Sequence, residues 1–174
     1  MPLKPPVNEV DHCQGDKAAK IVIVEYGDYQ CPHCGRAYPL VKKLQAELGE
    51  DLCFVFRNFP LAKIHPDAMM AAIATEAAAL QGKYWEMHDI LFENQENLDN
   101  DALARYAQRL EMDVEKFSSD IADQQFISKV ESDFESGIRS GVNATPTFFI
   151  NGEKYNNGWE GNRILDFIRA NDLI

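Results

Sequence analysis

The chain has 174 residues, 45% of them hydrophobic and 26% charged, with a formal net charge of −11. That length fits one domain with a core of its own, and the mixture excludes collagen, coiled-coil and disordered classes. The acidic balance argues against a nucleic-acid phosphate partner and against an anionic membrane surface.

Met1 to Ala19 contains Pro2, Pro5, Pro6 and Gly15 and reads as an irregular lead-in. It has no apolar h-region and no membrane-spanning run follows, which implies a cytosolic address for the chain as written, or a periplasmic one if a signal has been removed. Ile21 to Tyr26 is a continuous β-branched run, the pattern of a strand buried on both faces, ended by Gly27 and Asp28. A helix is predicted from the following Cys31-Pro32-His33-Cys34 to about Leu48, closed by Gly49, with Pro39 as a kink. Leu52 to Phe56 is a second strand, so the first three elements form a βαβ unit with parallel strands.

Residues from about 64 to 140 read as a helical block. Ala68 to Leu80 holds seven alanines. Apolar faces recur at Tyr84, Met87, His88, Leu91 and Phe92, then at Leu103, Tyr106, Ala107 and Leu110, then at Phe126, Ile127, Val130, Phe134 and Ile138. Thr147 to Ile150 is a strand, Asn151-Gly152 a hairpin turn, and Glu153 to Tyr155 the return strand. A last helix carries Ile164, Leu165 and Ile168. The fold class is α/β, with a helical insertion at about 64–140.

The chemistry centres on the two close cysteines of the four present. At i and i+3 of a helix start, Cys31 and Cys34 present their sulfurs on one side. The helix N-terminus offers unpaired N–H groups and positive dipole charge, which favour a thiolate at Cys31, the nucleophile, with Cys34 as resolving thiol. His33 adds a donor, and a charge when protonated, while Pro32 suits the first turn. Glu25 is the charged residue of the strand that feeds the motif. It is either buried beneath the motif, where it accepts the Cys34 proton, or exposed at a frayed strand end. Pro146 opens an apolar strand, and a cis Thr145–Pro146 bond explains such a position.

Val24-Glu25-Tyr26-Gly27-Asp28-Tyr29-Gln30 leading into CPHC, with Thr145-Pro146 about one hundred residues later, resembles the DsbA-like branch of the thioredoxin superfamily. The resemblance covers about residues 18–172, and the helical block matches the same plan. It implies a single thioredoxin-like domain over residues 1–174 and a thiol–disulfide oxidoreductase acting on protein or peptide thiols. It implies that Cys31 is the nucleophile, Cys34 its mate and Glu25 the strand carboxylate. Pro146 then packs on the disulfide, and the Thr145 backbone pairs with an extended substrate. No cofactor or metal is required, and a redox partner must regenerate the active form. The best-known oxidases of the family carry Val before the cis-Pro, where Thr145 stands. A DsbA-like oxidase, a cytosolic reductase or isomerase and a redox-sensing module all stay open.

Cys53, mid-strand, reads as a small buried hydrophobe and Cys13 as a lone exposed thiol; a zinc site of Cys31, Cys34, Cys13 and His12 is the weaker alternative. His88 reads as a satisfied core histidine, His65 before Pro66 as a helix-start residue, and Trp85 as core. Arg57 is a candidate partner for Glu25 if the two strands are neighbours.

Overall fold

The computed structural model describes residues 1–123 and 125–174. Its centre is β2 (Ile21–Gly27), flanked by β3 (Leu52–Asn58) in parallel and by β4 (Thr147–Ile150) antiparallel. Between β2 and β3 runs α1 (Pro32–Leu48), followed by a short 3-10 turn at Gly49–Asp51. The hairpin closes through Asn151 (φ 48°) and Gly152 (φ 82°) onto β5 (Glu153–Lys154). Both positive φ values belong to a primed turn, which matches the twist of the strands it joins.

Alternation along the strands sorts their side chains into two cores. Ile21, Ile23, Phe54, Phe56, Phe148 and Ile150 face α1 and the helical insertion. Val24, Tyr26, Cys53, Val55 and Phe149 face the other way, against Leu3, Phe59 and Val142. On α1, Ala37, Val41, Leu44 and Leu48 form the buried stripe. α7 (Arg163–Ala170) adds Ile164, Leu165 and Ile168 to the same core. Each fully buried Ile or Phe contributes about 1.5–3 kcal/mol.

Five helices fill the insertion among the described residues: α2 (Ala68–Ala79), α3 (Tyr84–Glu93), α4 (Asn100–Arg109), α5 (Val114–Ala122) and α6 (Gln125–Arg139). α5 is missing from the apolar faces read off the sequence, although Val114, Phe117 and Ile121 stand at helical spacing behind Asp113. Phe117 is its one fully buried residue, and the Asp113 side chain caps its start by accepting from the Lys116 N–H at 2.9 Å. Ile138, expected on an apolar face, is exposed because it lies off the buried stripe of α6, which runs through Phe126, Val130, Asp133 and Gly137 and is followed by buried Ser140. His88 is buried and bonded to the Tyr29 hydroxyl, as expected of a core histidine.

Three expectations are corrected. The lead-in is not irregular throughout: Cys13–Gln14 forms β1, an antiparallel edge on β3 with Cys13 opposite Val55. The sheet order is therefore β1-β3-β2-β4-β5. Two residues are too short a strand to show a period. A second signal sits at Gly15 (φ 105°), where a Cβ would strike the Leu52 carbonyl. Next, Cys13 is not a lone thiol and Cys53 not merely a filler, since the two form a disulfide, which also removes Cys13 from any zinc site with Cys31 and Cys34. Finally, Arg57 does not meet Glu25. In register, Glu25 lies opposite Phe56 and Arg57 opposite Tyr26, so the carboxylate and guanidinium leave opposite faces of the sheet. Arg57 instead forms a two-pronged pair with Asp11, both bonds 2.8 Å, with 2% of each side chain exposed. It also donates to the Tyr26 hydroxyl and to the carbonyls of Pro5 and Pro6.

Candidate active site

Cys31 is the N-cap of α1, extended at φ −69° and ψ 122°, and Pro32 opens the helix. An N-cap residue looks along the axis at the unpaired N–H groups of the first turn, so its sulfur sits where those dipoles converge. Cys31 and Cys34 are free thiols, both buried. The Cys31 thiol is pulled down to about 5, first by a hydrogen bond from the Cys34 thiol, then by Thr145 and by the backbone N–H groups of Cys34 and His33; burial opposes them. Cys34 is pushed well up by burial, by its bond to Cys31 and by the charges of Glu25 and Cys31. The two thiols thus differ sharply in readiness to ionise.

Of the two placements open for Glu25, the structure has the buried one: 2% exposed, facing the core side of the sheet. Burial, reinforced by the negative charge at Cys31, raises its carboxyl to about 8. Its Oε1 has no hydrogen-bond partner among the described residues.

Across from the motif, the Thr145–Pro146 bond is cis. The Cys31 thiol points at the Thr145 carbonyl, 3.7 Å away. The Thr145 hydroxyl is buried and has no hydrogen-bond partner among the described residues.

His33 stands differently from expectation. Its exposed ring turns to Arg36, whose guanidinium can only donate, so Nδ1 is the acceptor. What reaches Cys31 from this residue is the backbone N–H.

Residues given no part in the site by the sequence reading complete it. Asp28 Oδ1 accepts from the N–H groups of Gln30 (2.8 Å) and Cys31 (3.1 Å), and its Oδ2 from the Leu61 N–H (2.8 Å). His65, expected to start a helix, lies three residues ahead of α2 and faces that carboxylate at 2.8 Å. Gln95, between α3 and α4, donates to the carbonyls of Tyr29 and Cys31. Asp28 was visible as a turn residue after a strand; Gln95 carries no local signal.

Comparison with known proteins agrees with this geometry. The family described as Thioredoxin matches residues 7–169. A Na(+)/H(+) antiporter NhaA 1 of Mycolicibacterium vanbaalenii is 39% identical over 170 residues, which are 97% of this chain and 28% of that protein. NhaA 3 of Salinispora tropica is 42% identical over 145 residues, 83% of this chain and 22% of that one. The chain thus spans about a quarter of the length of these curated relatives. Among solved structures, oxidised BdbD from Bacillus subtilis superposes with a TM-score of 0.79 at 25% identity, over 91% of this chain and 90% of its own. The α-DsbA1 protein of Wolbachia pipientis shares the fold, with a TM-score of 0.77 at 23% identity over 96% and 92% of the two chains. The chain belongs to the thioredoxin family and has the α/β fold of its DsbA-type members.

Proposed function

We propose that this chain is a protein thiol–disulfide oxidoreductase working as a DsbA-like oxidase through Cys31 and Cys34. One observation carries the reading: two free cysteines one turn apart, Cys31 capping the mouth of α1 and Cys34 buried behind it, with the cis Thr145–Pro146 bond across from them. In the oxidised enzyme, a substrate thiolate attacks the Cys31 sulfur. The Cys31–Cys34 bond breaks, Cys34 leaves, and a mixed disulfide forms at Cys31. Glu25, whose burial raises its carboxyl above the usual carboxylate range, supplies the proton that quenches the departing Cys34 sulfur. A second substrate thiolate then attacks the substrate sulfur, Cys31 leaves as a stabilised thiolate, and the substrate carries away the disulfide. An unidentified redox partner reoxidises the enzyme, and no cofactor takes part. Beside Cys31, the Thr145 backbone and Pro146 receive an extended peptide as an added strand, while Pro32 and His33 tune the motif from the first helical turn. The whole chain acts as one domain.

No helix among the described residues is long and apolar enough to cross a membrane. Of the two addresses open from sequence, the Cys13–Cys53 disulfide favours the oxidising one, such as a periplasm.

Equilibration with glutathione tests the direction. An oxidase stabilised in its reduced form is expected well above thioredoxin's potential of about −270 mV, toward the roughly −120 mV of the family's namesake DsbA. A value near thioredoxin's would turn the reading to a reductase or isomerase. Glu25→Gln tests the carboxyl. A folded pKa raised from 4.5 to about 8 costs the native state nothing below the lower value. The cost grows as pH rises between the two and is constant above. Glu25→Gln is therefore expected to stabilise the protein by a few kcal/mol above about pH 8, and not at all in acid. Urea unfolding across that range reads it; a pH-independent difference would place Glu25 outside the titrating site.

A second reading is favoured by the relatives. Those antiporters carry a matching segment as about a quarter of their length, which fits a redox-sensing module joined to an ion transporter. Insulin reduction separates the two: turnover that Cys31→Ser abolishes supports the enzyme, and none with the unaltered chain supports the sensor.

A further inference from the structure

Asp28 to Cys31 joins β2 to α1 and delivers the nucleophile to the helix mouth. Each of these four residues is tied to the insertion or to the stretch leading into it. Asp28 takes the Leu61 N–H and His65. The Tyr29 hydroxyl meets His88 Nδ1 at 2.9 Å. Gln30 and Asp67 exchange two bonds, of 3.1 and 2.8 Å. Cys31 is held at both ends of its own backbone, its N–H by Asp28 and its carbonyl by Gln95 Nε2 at 2.9 Å.

The Gln95 contact is the least replaceable of these. The same Nε2 donates to the Tyr29 carbonyl at 2.9 Å, so one amide spans both sides of the turn. The other side of that amide lies against Gly35, where an added Cβ would collide with Oε1 and the amide carbon. Gly35 itself donates to the Cys31 carbonyl at 3.0 Å, the first bond of α1. The helix start is thus shaped to admit this side chain from a turn 64 residues away.

Carbonyl oxygens are the negative ends of peptide dipoles, and two of them flank the sulfur-bearing residue. Left uncovered, they oppose a neighbouring anion and are free to tilt; an N–H₂ group bonded to both offsets their charge and pins the turn. We propose that Gln95 is a positioning residue for Cys31: it holds the Tyr29 and Cys31 carbonyls so that the N–H groups of His33 and Cys34 stay aimed at the sulfur. This rests on Cys31 being the nucleophile of the proposed exchange.

The Cys31 thiolate is to be titrated by its ultraviolet absorbance in the unaltered chain, in Gln95→Ala, Gln95→Glu and Gly35→Ala, and in the Gly35→Ala/Gln95→Ala pair. Gln95→Ala is expected to raise the Cys31 pKa by about one unit, a tenfold loss of thiolate at pH values below it, and to shift the glutathione equilibrium tenfold toward less oxidising. Gln95→Glu, an acceptor in place of a donor and an added negative charge, is expected to raise it further. Gly35→Ala, which displaces the amide, raises it as Gln95→Ala does, and the pair adds nothing to the single Gln95→Ala change. A purely structural contact would lower the unfolding midpoint and leave these titrations alone. Folded Gln95→Ala and Gly35→Ala proteins with an unmoved Cys31 pKa overturn the proposal; should Gln95→Ala not fold, Gly35→Ala and Gln95→Glu decide it by the same readout. An ordinary thiol pKa in the unaltered chain would instead overturn the nucleophile reading.

Discussion

Cys31→Ser is expected to reduce disulfide exchange to background and, at the same time, to erase the stability advantage of the reduced protein. Serine cannot form the mixed disulfide, so the first loss is complete. The second follows from linkage. The folded thiol is depressed from 9.0 to about 5. The reduced native state therefore gains stability that is fully present above the unfolded value and is lost as pH falls through the folded one. At about 1.4 kcal/mol per pH unit, the gain amounts to roughly 5 kcal/mol. Because the charge at Cys31 also raises Glu25, the comparison is made in a Glu25→Gln background, where the reduced-minus-oxidised difference isolates Cys31. Paired urea unfolding curves above about pH 9 and below about pH 5 measure it. Equal stability of the two redox states in alkali would leave Cys31 an ordinary thiol and remove the basis of the proposed chemistry.

Loss of the second sulfur bridge is expected to weaken the fold without touching exchange. The Cys13–Cys53 link spans 40 residues. By chain-entropy reckoning a closed loop of that size stabilises by about 4 kcal/mol. Against a typical total of about 5–15 kcal/mol, this is a large share. The Cys13→Ala/Cys53→Ala pair is therefore predicted to lower the unfolding free energy by that amount, read from urea curves, while keeping the Cys31 pKa. A loss under about 1 kcal/mol would show that β1 is held by its ladder and by the Asp11–Arg57 pair alone. Unchanged exchange activity in the folded variant confirms that the two sulfur pairs are independent.

The parts of this molecule legible in its sequence are those encoded locally. The β-branched run of β2, the CPHC spacing at a helix start and Asn151-Gly152 each state their structure within a few neighbours. Other features depend on which segments meet. Nothing near Gln95 marks it, because its role exists only once α3 returns beside the motif. Cys13 and Cys53 pair because a two-residue strand docks on an edge, which no periodicity announces. Arg57 shows a subtler limit. Parity along β3 separates it from Glu25, but parity becomes decisive only with the register, and β2 and β3 are apolar on both faces, so neither strand alone reveals it. His33 shows the reverse case: the residue lies where the motif puts it, yet a surface neighbour one turn on, Arg36, decides where its ring points.

The opening residues of the chain are cladding rather than trim. Leu3 lines the second core, the carbonyls of Pro5 and Pro6 and the carboxylate of Asp11 receive the Arg57 fork, and Cys13 rivets the seam. A polypeptide cut just ahead of Ile21 would keep every atom of the CPHC turn, yet uncover part of the second core and leave the buried Arg57 guanidinium without its carboxylate. The domain's working boundary therefore lies upstream of the first long strand.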